Sequence, residues 1–228
     1  MKSFFITGTD TDVGKTYITA GLAVTLRKMG IDVGVMKPFA AGTPQPKGFK
    51  SEDVEILTRS AQVSDPEKLV NPQFFNMAAS PYTASQKLKV KVKLSSALSS
   101  FKKLSKLHEM ILVEGMGGLM TPILKNYFVS NMVKDMKLPA VIVVRTRIGT
   151  VNHTIMTCKM CEKFKIPIQG IIINNFDSDG YDSPLLKRDL QKLTGVKVLG
   201  IVPFIENLSD ESLYQNFKKN INFSALLK

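Results

Sequence analysis

The stretch Phe4-Phe5-Ile6-Thr7-Gly8-Thr9-Asp10-Thr11-Asp12-Val13-Gly14-Lys15-Thr16 joins a short apolar run to a segment, Lys15–Met29, whose apolar residues recur at helical spacing. A loop between a buried strand and a helix N-terminus presents backbone N–H groups that bind an anion. In such a loop Lys15 reaches the β- and γ-phosphates of a nucleotide, and the Thr16 hydroxyl binds Mg²⁺. The stretch therefore predicts a strand, a phosphate-binding loop and a helix in succession.

The loop departs from the usual spacing in one respect. The standard pattern has four residues between its two glycines, whereas five residues separate Gly8 from Gly14, and Thr9 occupies the position of the first glycine. A strict pattern search would miss it. The apolar run before it and the helical pattern after it still favour a phosphate loop over a chance helix start.

Five further apolar runs alternate with helical patterns along the chain. Several are continuous, such as Val141-Ile142-Val143-Val144, which is typical of parallel strands buried on both faces. We predict an α/β fold of the P-loop NTPase type, with a parallel sheet, helices on both faces and one domain over residues 1–228. The predicted strands are Phe4–Thr7, Val33–Lys37, Met110–Val113, Ala140–Val144, Gln169–Asn174 and Val198–Val202, and the predicted helices are Lys15–Met29, Glu52–Ser60, Leu94–Leu107, Thr150–Phe164 and Pro184–Leu193.

The ends of the predicted strands should form the ligand-binding edge. In open α/β sheets ligands bind beyond the carboxyl ends of the strands, so the segments that follow the six strands should converge there. These segments carry most of the unusual residues of the chain, and they are Gly8–Thr16, Lys37–Gly42, Glu114–Gly118, Arg145–Gly149, Asn174–Asn175 and Pro203–Ile205.

Composition and charge narrow the classes of protein. The 228 residues include 31 Lys and Arg against 19 Asp and Glu, a formal charge of +12, which suits nucleotides, nucleic acid or an anionic surface as partners. The lysine-rich stretch Lys87–Lys93 alternates charged and apolar residues without aromatic residues to stack on bases, so we predict an extended, solvated segment. No apolar run is long enough for a membrane helix. Two cysteines, Cys158 and Cys161, favour structural thiols in a reducing cytoplasm.

Three motifs together carry a resemblance to a known family. The phosphate loop, Met36-Lys37-Pro38-Phe39-Ala40-Ala41-Gly42 and Val113-Glu114-Gly115-Met116-Gly117-Gly118 resemble those of the dethiobiotin synthetases, ATP-dependent cyclo-ligases of biotin biosynthesis. Shorter similarities extend over nearly the whole chain in the same order. They are Val70-Asn71-Pro72, Ser80-Pro81, Thr121-Pro122, Leu138-Pro139, Gly149 with Asn152-His153, and Gly200 with Pro203.

The resemblance implies a reaction between two anions. In the family, 7,8-diaminopelargonate takes up CO₂ as a carbamate, ATP phosphorylates the carbamate, and the second amine closes the ring of dethiobiotin. Phosphoryl transfer of this kind needs positioning and charge neutralisation rather than a protein nucleophile. The resemblance assigns Lys37 to the carbamate and the transferred phosphoryl group, Lys15 to the phosphates, and Thr11 to the substrate carbamate.

Mg²⁺ is the second cofactor that the resemblance implies, beside ATP. Thr16, Asp53 and Glu114 are the candidate ligands, since Mg²⁺ takes one or two carboxylates together with phosphate oxygens and water. Glu114 follows a buried strand, where a carboxylate is costly without a partner, and a metal ion would be such a partner. Asp53 also suits an ordinary helix N-terminus.

The rest of the nucleotide site is expected at two places. Asn174 resembles the residue that binds adenine, and Asn175 stands where the family often has aspartate, which leaves base selectivity open. Pro203, Phe204 and Ile205 should cover the base. The implied nucleotide contacts of the loops are Asp12, Val13, Gly14, Tyr17, Gly115, Met116 and Gly117.

The substrate site is expected to involve two subunits. Thr11, Lys37, Ala41 and Gly117 should contact the substrate in one subunit, although Ala41 stands where the family often has Ser or Thr. The helix start at Gly149, Thr150, Val151 and Asn152 resembles a carboxylate cradle offered to the neighbouring subunit, which implies a homodimer. A late tyrosine used by some members is absent, with Leu186 in its place and Tyr181 nearby.

Three other functions remain open from the sequence. A partition-protein-like switch ATPase has the same kind of loop, but its early lysine is absent, and Leu213–Phe217 with Lys218-Lys219 makes only a weak membrane helix. A cobyrinate-type amide ligase usually adds a glutaminase domain. A nucleic-acid-binding ATPase is supported by charge alone. We expect neither nucleic acid nor membrane as a partner.

Overall fold

The computed structural model describes residues 3–177 and 180–228, and these form ten helices and ten strands. Strands lie at Phe4–Gly8 (β1), Val33–Met36 (β2), Phe39–Ala41 (β3), Gln73–Phe75 (β4), Met110–Gly118 (β5), Pro122–Leu124 (β6), Tyr127–Phe128 (β7), Ala140–Arg145 (β8), Ile168–Asn175 (β9) and Val198–Pro203 (β10). Helices lie at Lys15–Lys28 (α1), Glu52–Ala61 (α2), Glu67–Val70 (α3), Pro81–Leu88 (α4), Leu94–Leu107 (α5), Val129–Met136 (α6), Thr150–Phe164 (α7), Ser183–Thr194 (α8), Asp210–Asn220 (α9) and Phe223–Leu226 (α10).

Six strands form a parallel sheet in the order β10-β9-β8-β1-β5-β2. The first strand of the chain lies inside the sheet, between β8 and β5. The chain moves to one side of β1 to form β2 and β5 and to the other side to form β8, β9 and β10. This change of direction opens a crevice at the carboxyl end of β1. The predicted parallel α/β fold is confirmed, with the six predicted strands in the main sheet.

Alternating side chains of the sheet enter two separate cores. Phe5 and Ile142 belong to a core covered by α5, α6, α7 and α8, whereas Phe4 and Ile6 belong to a second core covered by α1, α2, α9 and α10. Successive residues of a strand point to opposite faces, so continuous apolar runs are what a sheet covered on both faces requires. Burial of these apolar faces is the main driving force for the fold.

The lysine-rich stretch Lys87–Lys93 is not extended throughout. Lys87 and Leu88 are the last two residues of α4, and Lys89 after them adopts a left-handed conformation with φ 52°. Residues 90–93 belong to no helix or strand. The prediction of one extended segment was wrong at its start, because the side chain of Ser80 accepts a hydrogen bond from the Thr83 N–H and begins a helix that the charge alternation does not reveal. All four lysines are exposed, as expected.

Helix α9, near the end of the chain, packs against helix α1. Its residues Leu213 and Phe217 are buried, and the ring of Phe217 lies where a side chain at Gly21 of α1 would be. Among the residues that the structure describes, no helix has the length and apolar character needed to cross a membrane.

His108 connects three segments beneath the sheet edge. Its Nδ1 lies 2.8 Å from Asp32 Oδ1 and its Nε2 2.9 Å from Asp65 Oδ2. Burial lowers the pKa of His108, but the hydrogen bonds to Asp32 and Asp65 outweigh it, and the pKa is raised overall. The imidazolium therefore joins the end of α5 to the start of β2 and to the loop after α2.

Candidate active site

The phosphate loop bends through two left-handed residues, Asp12 with φ 56° and Gly14 with φ 88°. At Gly14 a Cβ atom would lie 2.1 Å from Asn174 Nδ2, so both the backbone conformation and the space require glycine. The carbonyl of Val13 accepts a hydrogen bond of 3.1 Å from that amide nitrogen. The Lys15 ammonium donates to the carbonyl of Asp10 at 2.9 Å. The loop is thus held in a compact turn at the start of α1.

Four side chains from four segments meet beside this loop. The Lys37 ammonium contacts Asp53 Oδ2 and lies 2.6 Å from Glu114 Oε1. The Thr16 hydroxyl lies 2.8 Å from Glu114 Oε1 and 3.1 Å from Asp53 Oδ1. Glu114 is fully buried, and its Oε2 has no hydrogen-bond partner among the described residues. Oxygen donors of this kind, one of them unpartnered, suit a hard divalent cation.

The backbone around Lys37 explains why its ammonium reaches this cluster. The N–H of Lys37 donates to the Val70 carbonyl at 2.8 Å, and the Asn71 side chain donates to the Lys37 carbonyl at 2.6 Å. Asn71 belongs to one of the short motifs of the sequence and thereby gains a structural role. Its amide fixes the backbone at the end of β2, so that the Lys37 side chain extends between α2 and β5.

Burial and charge change the pKa values of the cluster. Burial disfavours the Lys37 ammonium, but attraction to Glu114 and Asp53 outweighs burial and raises the pKa of Lys37. Burial also opposes ionisation of Asp53, yet the charge and hydrogen bond of Lys37 lower its pKa. For Lys15, burial outweighs the attraction of Glu114, and the pKa of Lys15 is lowered. Lys37 and Asp53 are therefore stabilised in their charged forms.

A cavity of about 790 Å³ opens over the loop and the charged cluster. This size is within the usual range for small-molecule sites. Twelve of the predicted site residues line it, namely Thr11, Asp12, Gly14, Lys15, Thr16, Lys37, Ala41, Asp53, Glu114, Gly115, Met116 and Gly117. The structure thus brings together residues that lie far apart in the sequence, from the loop, the end of β2, the start of α2 and β5.

Sequence analysis did not assign five other lining residues. Ala78, Ala79, Ser80, Thr121 and Pro122 complete the wall of the same cavity. A signal was present for three of them, because Ser80-Pro81 and Thr121-Pro122 are among the short motifs of the sequence. The hydroxyl of Thr121 accepts a hydrogen bond of 3.1 Å from the Gly118 N–H, which holds the turn after β5 against this wall.

The start of α7 borders a second cavity of about 360 Å³. Thr150 and Val13 line it together with Arg145, Arg147 and His153. Gly149 precedes the helix with φ 95°. None of the described residues that line the main cavity comes from this helix. Gly149, Thr150, Val151 and Asn152 therefore do not line the cavity that contains the charged cluster, although Thr11 and Asp12 of the loop line both cavities.

The predicted base site is a separate group of residues at the ends of β9 and β10. The Tyr17 hydroxyl donates to the Pro203 carbonyl at 2.8 Å, and its ring centroid lies 5.7 Å from that of Phe204. The Phe204 N–H donates to the Asn175 carbonyl at 3.4 Å. Ile205 packs against the second core. Asn174 is buried, and its Oδ1 has no partner among the described residues.

Metal binding remains a prediction. Within residues 3–177 and 180–228, no group of three or more His, Cys, Asp and Glu side chains is arranged to hold a metal ion. The predicted set contains two carboxylates and one hydroxyl, and in the structure the buried carboxylate of Glu114 has the Lys37 ammonium as its charged partner.

Cys158 and Cys161 are both buried, and burial raises the pKa of their thiols to about 11 and about 12, as expected for structural thiols.

Comparison with known proteins shows the family of the chain. A family model described as an AAA domain matches residues 2–212. The ATP-dependent dethiobiotin synthetase BioD of Nitrosopumilus maritimus is 71% identical over 228 residues, which cover all of both chains, and that of Bacillus subtilis strain 168 is 37% identical over all of this chain and 98% of the relative.

Solved structures with the same fold are more distant in sequence. A ParA family ATPase from Chlorobium tepidum has a TM-score of 0.56 at 17% identity and covers 99% of both chains. The MinD cell division protein of Aquifex aeolicus has a TM-score of 0.55 at 17% identity and covers all of this chain and 94% of its own. These likenesses, at 17% sequence identity, show only a P-loop NTPase-like fold. The two dethiobiotin synthetases are 71% and 37% identical over the full chain. The chain therefore belongs to the ATP-dependent dethiobiotin synthetase family.

Proposed function

We propose that this chain carries out the ATP- and Mg²⁺-dependent carboxylation and ring closure of 7,8-diaminopelargonate with CO₂, which yields dethiobiotin in biotin biosynthesis. The observation that supports it most is the cluster of Lys37, Thr16, Asp53 and Glu114 beside a phosphate loop in one cavity. Full-length identity of 71% to a dethiobiotin synthetase supports the choice of reaction. The enzyme class is an ATP-dependent cyclo-ligase.

The reaction has three chemical steps. An amine of the substrate forms a bond to CO₂ and loses a proton, which gives a carbamate. A carbamate oxygen then bonds to the γ-phosphorus while the bond to the ADP oxygen breaks. Finally the second amine attacks the carbamate carbon, phosphate leaves with the bonding electrons, and the ring nitrogen loses its proton.

The chain contributes charge and position to these steps. The loop N–H groups and Lys15 would bind the phosphates, and Lys37 would lie between the carbamate and the transferred phosphoryl group. Thr11, Ala41 and Gly117 border the same cavity and would contact the substrate. Mg²⁺, held by Thr16, Asp53 and Glu114, would neutralise negative charge on the phosphate oxygens. The base would lie near Tyr17, Asn174, Asn175 and Pro203–Ile205.

A homodimer would complete the substrate site. The start of α7 does not line the main cavity of its own chain, but its backbone N–H groups could bind the substrate carboxylate of a second subunit. Ile148, which is 83% exposed, and Met156 on α7 give this region an apolar surface suited to a partner. Light scattering would show a dimer.

Cytoplasmic residence and the lack of nucleic-acid or membrane partners also stay predictions.

The test is a complete reaction with defined omissions. Purified chain, Mg²⁺, ATP, 7,8-diaminopelargonate and ¹³C-bicarbonate should give dethiobiotin that carries the label in its ring carbonyl, with one phosphate released per product. Omission of the chain, Mg²⁺, ATP or the diamine should abolish both signals, and omission of the labelled bicarbonate should abolish the label. Phosphate release that needs no diamine, or that DNA or lipid vesicles stimulate, would instead support a switch ATPase. ATP, CTP and GTP should be compared in the same assay.

Variants connect the reaction to the cluster. Lys37→Gln should lower kcat by about a hundredfold or more, because one preorganised charge in a closed site is worth that much in the transition state. Its affinity for ATP should stay within a few fold, since the phosphate loop is intact. Lys47→Gln, a change at an exposed lysine, is the matched control. Unchanged turnover in Lys37→Gln would remove Lys37 from the mechanism.

A further inference from the structure

Arg145 ends strand β8 next to the phosphate loop, and the proposed reaction does not use it. Its Nε donates to Asp177 Oδ2 at 3.0 Å, and its Nη2 contacts Asp177 Oδ1. Its third nitrogen, Nη1, donates to the carbonyl of Asp12 at 3.0 Å. The guanidinium also lies 4.7 Å from the ring centroid of Phe176. One side chain thus joins the ends of β8 and β9 to the phosphate loop.

The contact with the Asp12 carbonyl has a consequence for anion binding. The peptide bond is planar and trans, so the carbonyl of Asp12 and the N–H of Val13 point in opposite directions. Arg145 donates a hydrogen bond to that carbonyl, so the Val13 N–H points away from the guanidinium. The Asn174 side chain holds the next carbonyl, that of Val13, in a similar way. Two consecutive carbonyls of the loop are therefore held by side chains, and in each of these peptides the N–H points away from the side chain that holds the carbonyl.

Asp12 makes this support necessary. It is a non-glycine residue in the left-handed region, with φ 56°, which costs free energy unless surrounding contacts hold it. Asp12 and Gly14 line the main cavity, and Asp12 and Val13 line the second cavity together with Arg145. A loop that is held in its binding form before the ligand arrives loses less entropy on binding.

We propose that Arg145 and Asp177, here called the Arg145–Asp177 clamp, are positioning residues that keep the phosphate loop in its anion-binding form. Asp177 orients the guanidinium through two parallel hydrogen bonds and neutralises its charge, and the guanidinium holds the loop carbonyl. Lysine cannot replace arginine here, because a single ammonium does not offer the planar fork that binds a carboxylate and a carbonyl together. The inference rests on the proposed function only in taking ATP as the ligand of the loop.

The test measures ATP binding directly by titration calorimetry, without turnover. Arg145→Gln should weaken binding by about tenfold to a hundredfold, the range for lost hydrogen bonds to a charged group. Arg145→Lys should recover little of the loss. Asp177→Asn should weaken binding less, and Arg145→Gln should have a smaller effect in that background, because coupled residues are not additive. In steady state, KM for ATP should rise while kcat changes by less than about threefold.

Arg147→Gln is the charge-matched control. Arg147 is exposed, borders the same second cavity and has no ion-pair partner among the described residues. Its loss removes the same charge without touching the loop carbonyl, so ATP binding should change by less than about twofold. Because the Arg145–Asp177 pair is largely buried, with side chains 20% and 11% exposed, its loss can also lower stability. Melting temperatures without nucleotide measure that loss and separate loop positioning from folding.

Three results would overturn the inference. The first is an ATP affinity of Arg145→Gln within twofold of the native chain. The second is an equal loss of ATP affinity in Arg147→Gln, and the third is native ATP affinity in Arg145→Lys. Either of the last two would show that only the positive charge matters. If Arg145→Gln does not fold, Asp177→Asn and Arg145→Lys carry the test. A chain that binds ATP through this loop but forms no dethiobiotin would refute the proposed function and leave the clamp intact.

Discussion

Loss of the Lys37 ammonium should destabilise the folded chain, apart from any effect on turnover. Lys37 is 6% exposed and Glu114 is 0% exposed, and the two groups lie 2.6 Å apart. At an effective dielectric constant of about 20, unit charges at that distance attract by about 6 kcal/mol. The Lys37→Met variant keeps the apolar stem but leaves the carboxylate of Glu114 buried without its ion-pair partner.

The net cost should be about 3 to 5 kcal/mol of unfolding free energy, the usual range when one partner of a buried ion pair is removed. It is below the full Coulomb energy because the Thr16 hydroxyl still donates to Glu114 and because the Lys15 ammonium still attracts its charge. Urea denaturation at pH 7, without nucleotide or Mg²⁺, measures the difference. Lys47→Met at an exposed lysine should cost less than about 0.5 kcal/mol.

A second substitution tests the cause. Lys37→Met combined with Glu114→Gln removes both charges, so the double variant should be more stable than Lys37→Met alone by about 1 kcal/mol or more. A cost below about 1 kcal/mol for Lys37→Met would refute the reasoning. So would a double variant no more stable than the single one, since the buried carboxylate would then not be the source of the instability.

Three further predictions follow from other parts of the fold. Gly14→Ala should abolish measurable ATP binding by calorimetry, because its Cβ would lie 2.1 Å from the amide nitrogen of Asn174; native-like binding would contradict the loop geometry. His108→Gln should lower the melting temperature most near pH 6, and the deficit should shrink as pH rises above 6.5, because the pKa of His108 is raised in the folded state; an equal deficit at pH 6 and pH 9 would show that the charged imidazole adds nothing. Cys158 and Cys161 should resist iodoacetamide at pH 8 until the chain is denatured, because burial raises the pKa of their thiols to about 11 and about 12; rapid labelling of the folded chain, followed by mass spectrometry, would contradict their burial.

Much of the fold could be predicted from the order of residues alone. Continuous apolar runs such as Ile171-Ile172-Ile173 indicate strands that both faces of a sheet must bury, and their alternation with helical patterns indicates parallel crossovers. Long helices such as Leu94–Leu107 and Thr150–Phe164 were predicted with the bounds observed. The two-residue strand β7 and the helix α4 were missed, because short elements depend on capping and on neighbours more than on periodicity.

The composition of the site was also visible in the sequence, since parallel strands bring the segments after them to one edge. The sequence did not show which of these side chains would contact one another. Glu114 was expected to need a metal ion, and the structure gives it the ammonium of Lys37 and the hydroxyl of Thr16. Arg145 had no assigned role until its contacts with Asp177 and the Asp12 carbonyl were seen.

The physical reason is the range of the interactions. Local spacing sets which residues prefer a strand, a loop or a helix, because backbone geometry and side-chain periodicity act within a few residues. A hydrogen bond between Thr16 and Glu114 joins positions 98 residues apart, and its length depends on how β1, β5 and α1 pack. Distances of a few tenths of an ångström between such groups follow from packing of the whole sheet, which no local pattern encodes.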